Sequence, residues 1–211
     1  RELLTRLFRR RIQAGWYVMA LLLVPLVTFT TSILLAWSLR SPEFLPVIFT
    51  TADPMGLLLP GIIGGLLVGV CEEIGWTGFA IPRLRMRYSV LAAGLLMGVL
   101  WGAWHAPLFA REDSFTGAVP LALLLLQLFS WLPAYRVLMV WVHDRTESLL
   151  VTMLMHVSLS ATTIILPPPA VSDVKAFISI FVSAVTWWLI VAVVVAARRK
   201  QTKGMAVGPI R

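Results

Sequence analysis

Six predominantly apolar stretches, at about residues 15–39, 55–80, 89–110, 117–142, 148–166 and 174–197, dominate the 211-residue chain, separated by polar or proline-containing breaks. Each approaches the roughly 20 residues that carry a helix across a bilayer. The breaks Ser41-Pro42, Ala52-Asp53-Pro54, Pro82-Arg83 and Pro167-Pro168-Pro169 disfavour helix, because proline lacks an amide donor and crowds the preceding turn. The pattern predicts an all-α fold, a polytopic transmembrane helical bundle of about six spanning helices. It divides into an interfacial segment over 1–14, one transmembrane domain over 15–199 and a cytoplasmic tail over 200–211. In the first of these, Leu3, Leu4, Leu7, Phe8 and Ile12 recur at helical spacing among five arginines. That spacing suits a short amphipathic helix in the headgroup plane; a cytoplasmic extension of the first spanning helix fits the same residues.

Polar positions inside the apolar stretches mark their faces. In the first stretch Pro25 is followed by Thr28, Thr30, Thr31 and Ser32, a structural arrangement in which hydroxyls and neighbouring helices re-satisfy the broken backbone ladder. In the second, Gly61, Gly65 and Gly69 recur at every fourth residue, the spacing that lets two helices approach closely in lipid. At about 100° per residue, Glu72 and Glu73 fall on either side of the line through Gly69, so both are expected to flank the packed stripe, one acting and the other supporting it. A carboxylate in a spanning segment is costly, which makes the pair a functional-site candidate.

The third stretch repeats the device with Gly94, Gly98 and Gly102, and His105 stays on their face. If the two glycine stripes pack against each other, His105 and the glutamates look into one interhelical space; a structural histidine bonded to a neighbouring helix is the plainer alternative. Trp101 and Trp104 read as packing. Arg136, in the fourth stretch, is expected to snorkel to the cytoplasmic surface, with pairing to a glutamate as the sharper alternative. The fifth carries Thr152, His156, Ser160 and Thr163 as a polar stripe that must face the bundle interior. Depth gives a partial check. Glu72 lies about 15 Å along a helix from Pro82 and His156 about 12 Å from Ser148, whereas His105, about 24 Å from Ser89, is too deep unless the first turns of its helix protrude or residues 75–82 are partly extended.

Composition agrees with the pattern: 59% of residues are hydrophobic and 13% charged, and the mean hydropathy of +0.87 lies outside the range of ordinary soluble domains. A net charge of +8 would suggest nucleic acid in a soluble protein. Here the basic residues stand at the ends of apolar stretches, so the expected partners are membrane lipids and not nucleic acid. Of the 18 Lys and Arg residues, 14 fall in residues 1–14, at 83–87, at Arg145 or after 197, which predicts both termini on the cytoplasmic side. The single Cys71 excludes an intramolecular disulfide and a cysteine metal cluster. The chain begins on arginine without a signal-peptide pattern, as expected of a mature or truncated chain.

Two histidines and one or two carboxylates from three helices are the parts needed to hold one divalent, zinc-like ion or to activate a water directly by general-base catalysis. A polar group such as the Ser160 hydroxyl suits a developing oxyanion. His-Glu-x-x-His, Gly-x-Ser-x-Gly and phosphate-loop motifs are absent. An intramembrane peptidase, a non-catalytic membrane protein and a small proton-coupled transporter all fit these parts.

Three motifs narrow the choice: Glu72-Glu73-Ile74-Gly75-Trp76-Thr77-Gly78, Trp101-Gly102-Ala103-Trp104-His105 and His156-Val157-Ser158-Leu159-Ser160. Their order across residues 65–165 resembles the CPBP (CAAX protease and bacteriocin-processing, or Abi) group of intramembrane proteases, relatives of the type II CAAX prenyl endopeptidase. The resemblance implies a glutamate- or metal-dependent peptidase of a prokaryotic cytoplasmic membrane. Its site lies within the membrane, open to the cytosol, and takes a membrane-embedded or lipidated peptide. By motif position Glu72 activates the water with Glu73 beside it, and His105 and His156 polarise it or, with Glu72, ligate a metal. Ser160 stands where the family has Asn or a small polar residue, and Trp101 where it has Phe. Thr77 replaces the family's Arg and so removes a cation expected to pair with Glu73. Arg136 is the candidate substitute, and restoring Arg at 77 is expected to raise activity or stability. The same departure keeps open a catalytically impaired member of the fold, acting as scaffold, regulator or immunity protein. Family members also often carry further N-terminal spanning helices.

Overall fold

The structure, a computed structural model, describes residues 12–166 and 173–206, with side chains in the second stretch described to residue 197. The expected interfacial helix, up to residue 11, and the triple proline at 167–169 lie outside these residues. Helix α1 is Ala14–Ser38 and α2 Met55–Gly75; a π-helical turn, Trp76–Ala80, carries α2 into the short α3, Ile81–Arg85. Then come α4 Val90–Phe109, α5 Ala118–Phe129, α6 Leu132–Thr146, α7 Leu149–Ile165 and α8 Asp173–Ala206. Among the described residues, five helical stretches are long and apolar enough to cross a membrane, and α7 is a shorter apolar helix of 17 residues. The fold is an all-α polytopic membrane bundle.

Proline chemistry explains two departures from the expected elements. The fourth stretch is two helices, divided at Ser130 and Trp131. Pro133 sits in the first turn of α6, where its missing N–H costs nothing, and its ring opposes continuation from the turn before. The Ser130 carbonyl exposed by the break accepts from Trp188 Nε1 of α8 at 2.8 Å. Residues 75–82 are not extended. Pro82 obstructs the turn before it, Gly75 and Gly78 are weak helix formers, and the ladder widens into a π turn instead of breaking. The helix therefore runs on to Arg85, which deepens Glu72 toward the level of His105.

Pro25 stays within α1 and leaves the Leu21 carbonyl without its helical donor. Ser158 Oγ, on α7, donates to that carbonyl at 2.7 Å. A side chain on one helix thus completes the backbone of another, the arrangement lipid demands. Ser158→Ala is expected to lower stability by about 1 kcal/mol in a membrane unfolding assay. Combining it with Pro25→Ala, which restores the amide donor, should remove most of that loss.

The two glycine stripes do not face each other, and each meets a different helix. A Cβ added at Gly69 would stand 2.5 Å from the Val157 amide nitrogen of α7, and one added at Gly98 would stand 2.5 Å from Cα of Pro133 on α6. Glycine is required at both because backbone meets backbone. The resulting pairs, α2 on α7 and α4 on α6, form the main contacts, and α1 covers another side of α7. A tight turn joins α6 to α7: Glu147 adopts a left-handed conformation at φ 49°, and Ser148 Oγ accepts from the Val151 amide. Tyr135 of α6 locks the pair by donating to the Met155 carbonyl at 2.8 Å, one residue before His156. At one end of the bundle Arg85 pairs with Asp144 at 2.6 Å; at the other, Lys175 pairs with Glu43.

Candidate active site

The glycine stripe of α2 continues in register into chemistry. Gly61, Gly65, Gly69 and Glu73 are all buried, and Thr77 follows at the same four-residue interval on the π turn, also buried. Glu73 therefore lies on the stripe itself and does not flank it. Its side chain is fully buried, while that of Glu72, beside the stripe, is 21% exposed. Adjacent residues on one helix are thus given different environments by a 100° rotation.

Three elements converge on Glu73. Arg136 Nη1, from α6, donates to Oε1 at 2.6 Å. His156 Nδ1, from α7, meets the same oxygen at 2.8 Å. Thr77 Oγ1 donates to Oε2, and Arg136 Nη2 donates in turn to Thr77 Oγ1 at 3.3 Å. Arg136 is completely buried and does not snorkel. The reason is the carboxylate: an unpaired charge there would be far costlier than a neutral one, and a hydrogen-bonded cation offsets it. The residue at the family's Arg position is a small hydroxyl, and the guanidinium comes from a neighbouring helix.

Because Glu73 accepts, Nδ1 of His156 is the donor, which in the neutral imidazole leaves the lone pair on Nε2. That nitrogen faces Glu72 Oε2 at 4.0 Å. Glu72 receives three indole N–H groups: Trp76 Nε1 at 3.0 Å and Trp101 Nε1 at 3.3 Å on Oε2, and Trp104 Nε1 at 3.3 Å on Oε1. Trp101 is the hub. Its ring meets the imidazoles of His105 and His156 edge-on at centroid separations of 5.1 and 5.0 Å, and the Arg136 guanidinium lies over it at 5.4 Å.

His105 reaches the edge of this cluster and not its centre. Its Nδ1 bonds the Trp101 carbonyl at 2.8 Å, one turn back along α4. Ser160, one turn beyond His156, is half-buried and no hydrogen bond joins its hydroxyl to the cluster among the described residues. The set expected to hold a divalent ion does not close: among the described residues no three His, Cys, Asp or Glu side chains converge as a metal site. One nitrogen of His156 is committed to Glu73, and three indole donors take three of the about four lone-pair sites of Glu72. Sequence pattern alone assigns Trp101 and Trp104 to packing and gives Trp76 no role, although Trp76 follows Glu72 by four residues, the spacing that places both on one helix face.

A buried Glu–His–Arg centre assembled from three helices of an apolar bundle defines a polytopic membrane protein with a polar site inside it. The chain belongs to the type II CAAX prenyl endopeptidase Rce1-like family, whose model matches residues 54–162. Over 75 residues it is 35% identical to a CAAX prenyl protease 2 of Methanococcus maripaludis, a match covering 36% of this chain and 22% of that relative. The matched stretch therefore spans less than a quarter of the relative's length. The family match, residues 54–162, includes both glutamates, His105 and His156.

Proposed function

We propose that the protein is an intramembrane endopeptidase that hydrolyses a peptide bond of a membrane-associated or lipidated peptide, with Glu72 as general base. The observation that carries this reading is the 4.0 Å gap between Glu72 Oε2 and His156 Nε2, in which both facing atoms are acceptors. A water at this gap donates one hydrogen to His156 Nε2 and the other to the Glu72 carboxylate, and turns its lone pairs outward to a substrate carbonyl. Glu72 takes a proton as the water's oxygen bonds to the carbonyl carbon, then delivers it to the departing amine as the C–N bond breaks. Glu73, held by Arg136 and Thr77, fixes the tautomer and orientation of His156. His105 and Ser160 are assigned to stabilising the carbonyl oxygen as it gains charge. In this reading each step is carried by the chain's own side chains.

The membrane setting supports an apolar or lipidated substrate, since an unmodified polar peptide pays to leave water. The test is cleavage of a prenylated peptide and its unprenylated counterpart by the purified protein in liposomes. Preferential cleavage of the lipidated form, unchanged by a chelator, is expected; chelator-sensitive turnover restored by zinc would overturn the metal-independent step. The catalytically impaired alternative rests on Thr77. The guanidinium that Arg136 brings to Glu73 favours the catalytic reading over it.

A further inference from the structure

Glu72 is a carboxylate in an apolar helix, and among the described residues its partners are three indoles and the facing imidazole. The indole N–H donates and never accepts, so it can hold a carboxylate without competing for the proton that a base must take. We infer that Trp76, Trp101 and Trp104 are positioning residues, an indole cage that takes the place of hydration around Glu72 and fixes its orientation. The inference rests on the assignment of Glu72 as base.

The geometry gives each indole a distinct part. Two donors fill Oε2, one from the π turn and one from the buried Trp101; a single donor, Trp104, binds Oε1. A carboxylate offers about four lone-pair sites, so three donors leave one on Oε1 free for the water. The π turn is part of the device, because it carries Trp76 at the point where the ladder widens. Trp76 and Trp104 also meet edge to face at 6.1 Å, which braces the two donors that come from different helices. Trp104 is 62% exposed, so its ring contributes little to the core, and its N–H is the feature that ties it to the site.

The chain has nine tryptophans, and their indole N–H groups are countable by 15N NMR of the protein in nanodiscs, assigned by single Trp→Phe variants. In Glu72→Gln the signals of Trp76, Trp101 and Trp104 are expected to move upfield together while the other indole signals stay. Trp76→Phe and Trp104→Phe, which keep a ring and remove the donor, are each expected to lower kcat about tenfold, the scale of one hydrogen bond to a charged group, with KM within about twofold. Unmoved signals in Glu72→Gln would overturn the cage. Moved signals with kcat unchanged in both Phe variants would overturn the positioning role. Moved signals in a protein that cleaves no peptide would leave the cage standing and remove the peptidase reading instead.

Discussion

Arg136→Met is expected to cost about 3–5 kcal/mol of stability, because it leaves Glu73 a buried charge without its cation. The side chains of both partners are fully buried and the Nη1–Oε1 distance is 2.6 Å, so solvent offers neither an alternative. Thr77→Arg should also destabilise. It drives a second guanidinium into a site already filled by one, and it removes the hydroxyl that donates to Glu73 and accepts from Arg136. This reverses the expectation from the family pattern alone, in which arginine at 77 helps. The double variant, Thr77→Arg with Arg136→Met, moves the cation to the other helix and should recover most of both losses. Unfolding of the four proteins in bilayers or mild detergent, arranged as a double-mutant cycle, reads the coupling directly. Additive losses would show that Arg136 and residue 77 do not share one charge site.

Glu72→Gln is expected to reduce kcat by about 10²–10⁴-fold, the range associated with a positioned general base. The change keeps the shape and one acceptor oxygen but removes the group able to take a proton. Stability should fall far less than in Arg136→Met, since Glu72 is 21% exposed and the buried ion pair belongs to Glu73. The two adjacent glutamates should thus separate: one variant folded and inactive, and Glu73→Gln weakened in folding as well as turnover. Equal behaviour of the two would contradict the division of environment described above.

Most helix positions, and the buried part of the polar stripe at Thr152 and His156, were legible in the sequence because period and spacing act locally; Thr163, expected to face the interior with them, is exposed, because the stripe's last step of three carries it around the helix. Gly69 and Gly98 reveal that something packs closely, yet nothing in their spacing says which helix does. The stripes turn to α7 and α6, and the glutamates still meet the histidine helices because α7 itself carries His156. The break at Ser130 was marked by Pro133, whose effect was hidden by the continuous apolar run around it. Arg136 was legible as an anomaly but not as a partner: snorkelling and pairing use the same side chain, and only the position of α6 against α2 decides between them. The indole donors were hidden for another reason. Tryptophan in a spanning helix serves packing so readily that its single N–H attracts attention only when an acceptor stands opposite, and the acceptor for Trp101 and Trp104 lies on another helix.

The most direct measurement is cleavage of a prenylated peptide by the liposome-reconstituted protein and its Glu72→Gln and His156→Ala variants, each checked for retained helicity. The account predicts turnover by the parent protein and its loss in both variants. Undiminished cleavage by both folded variants would contradict it.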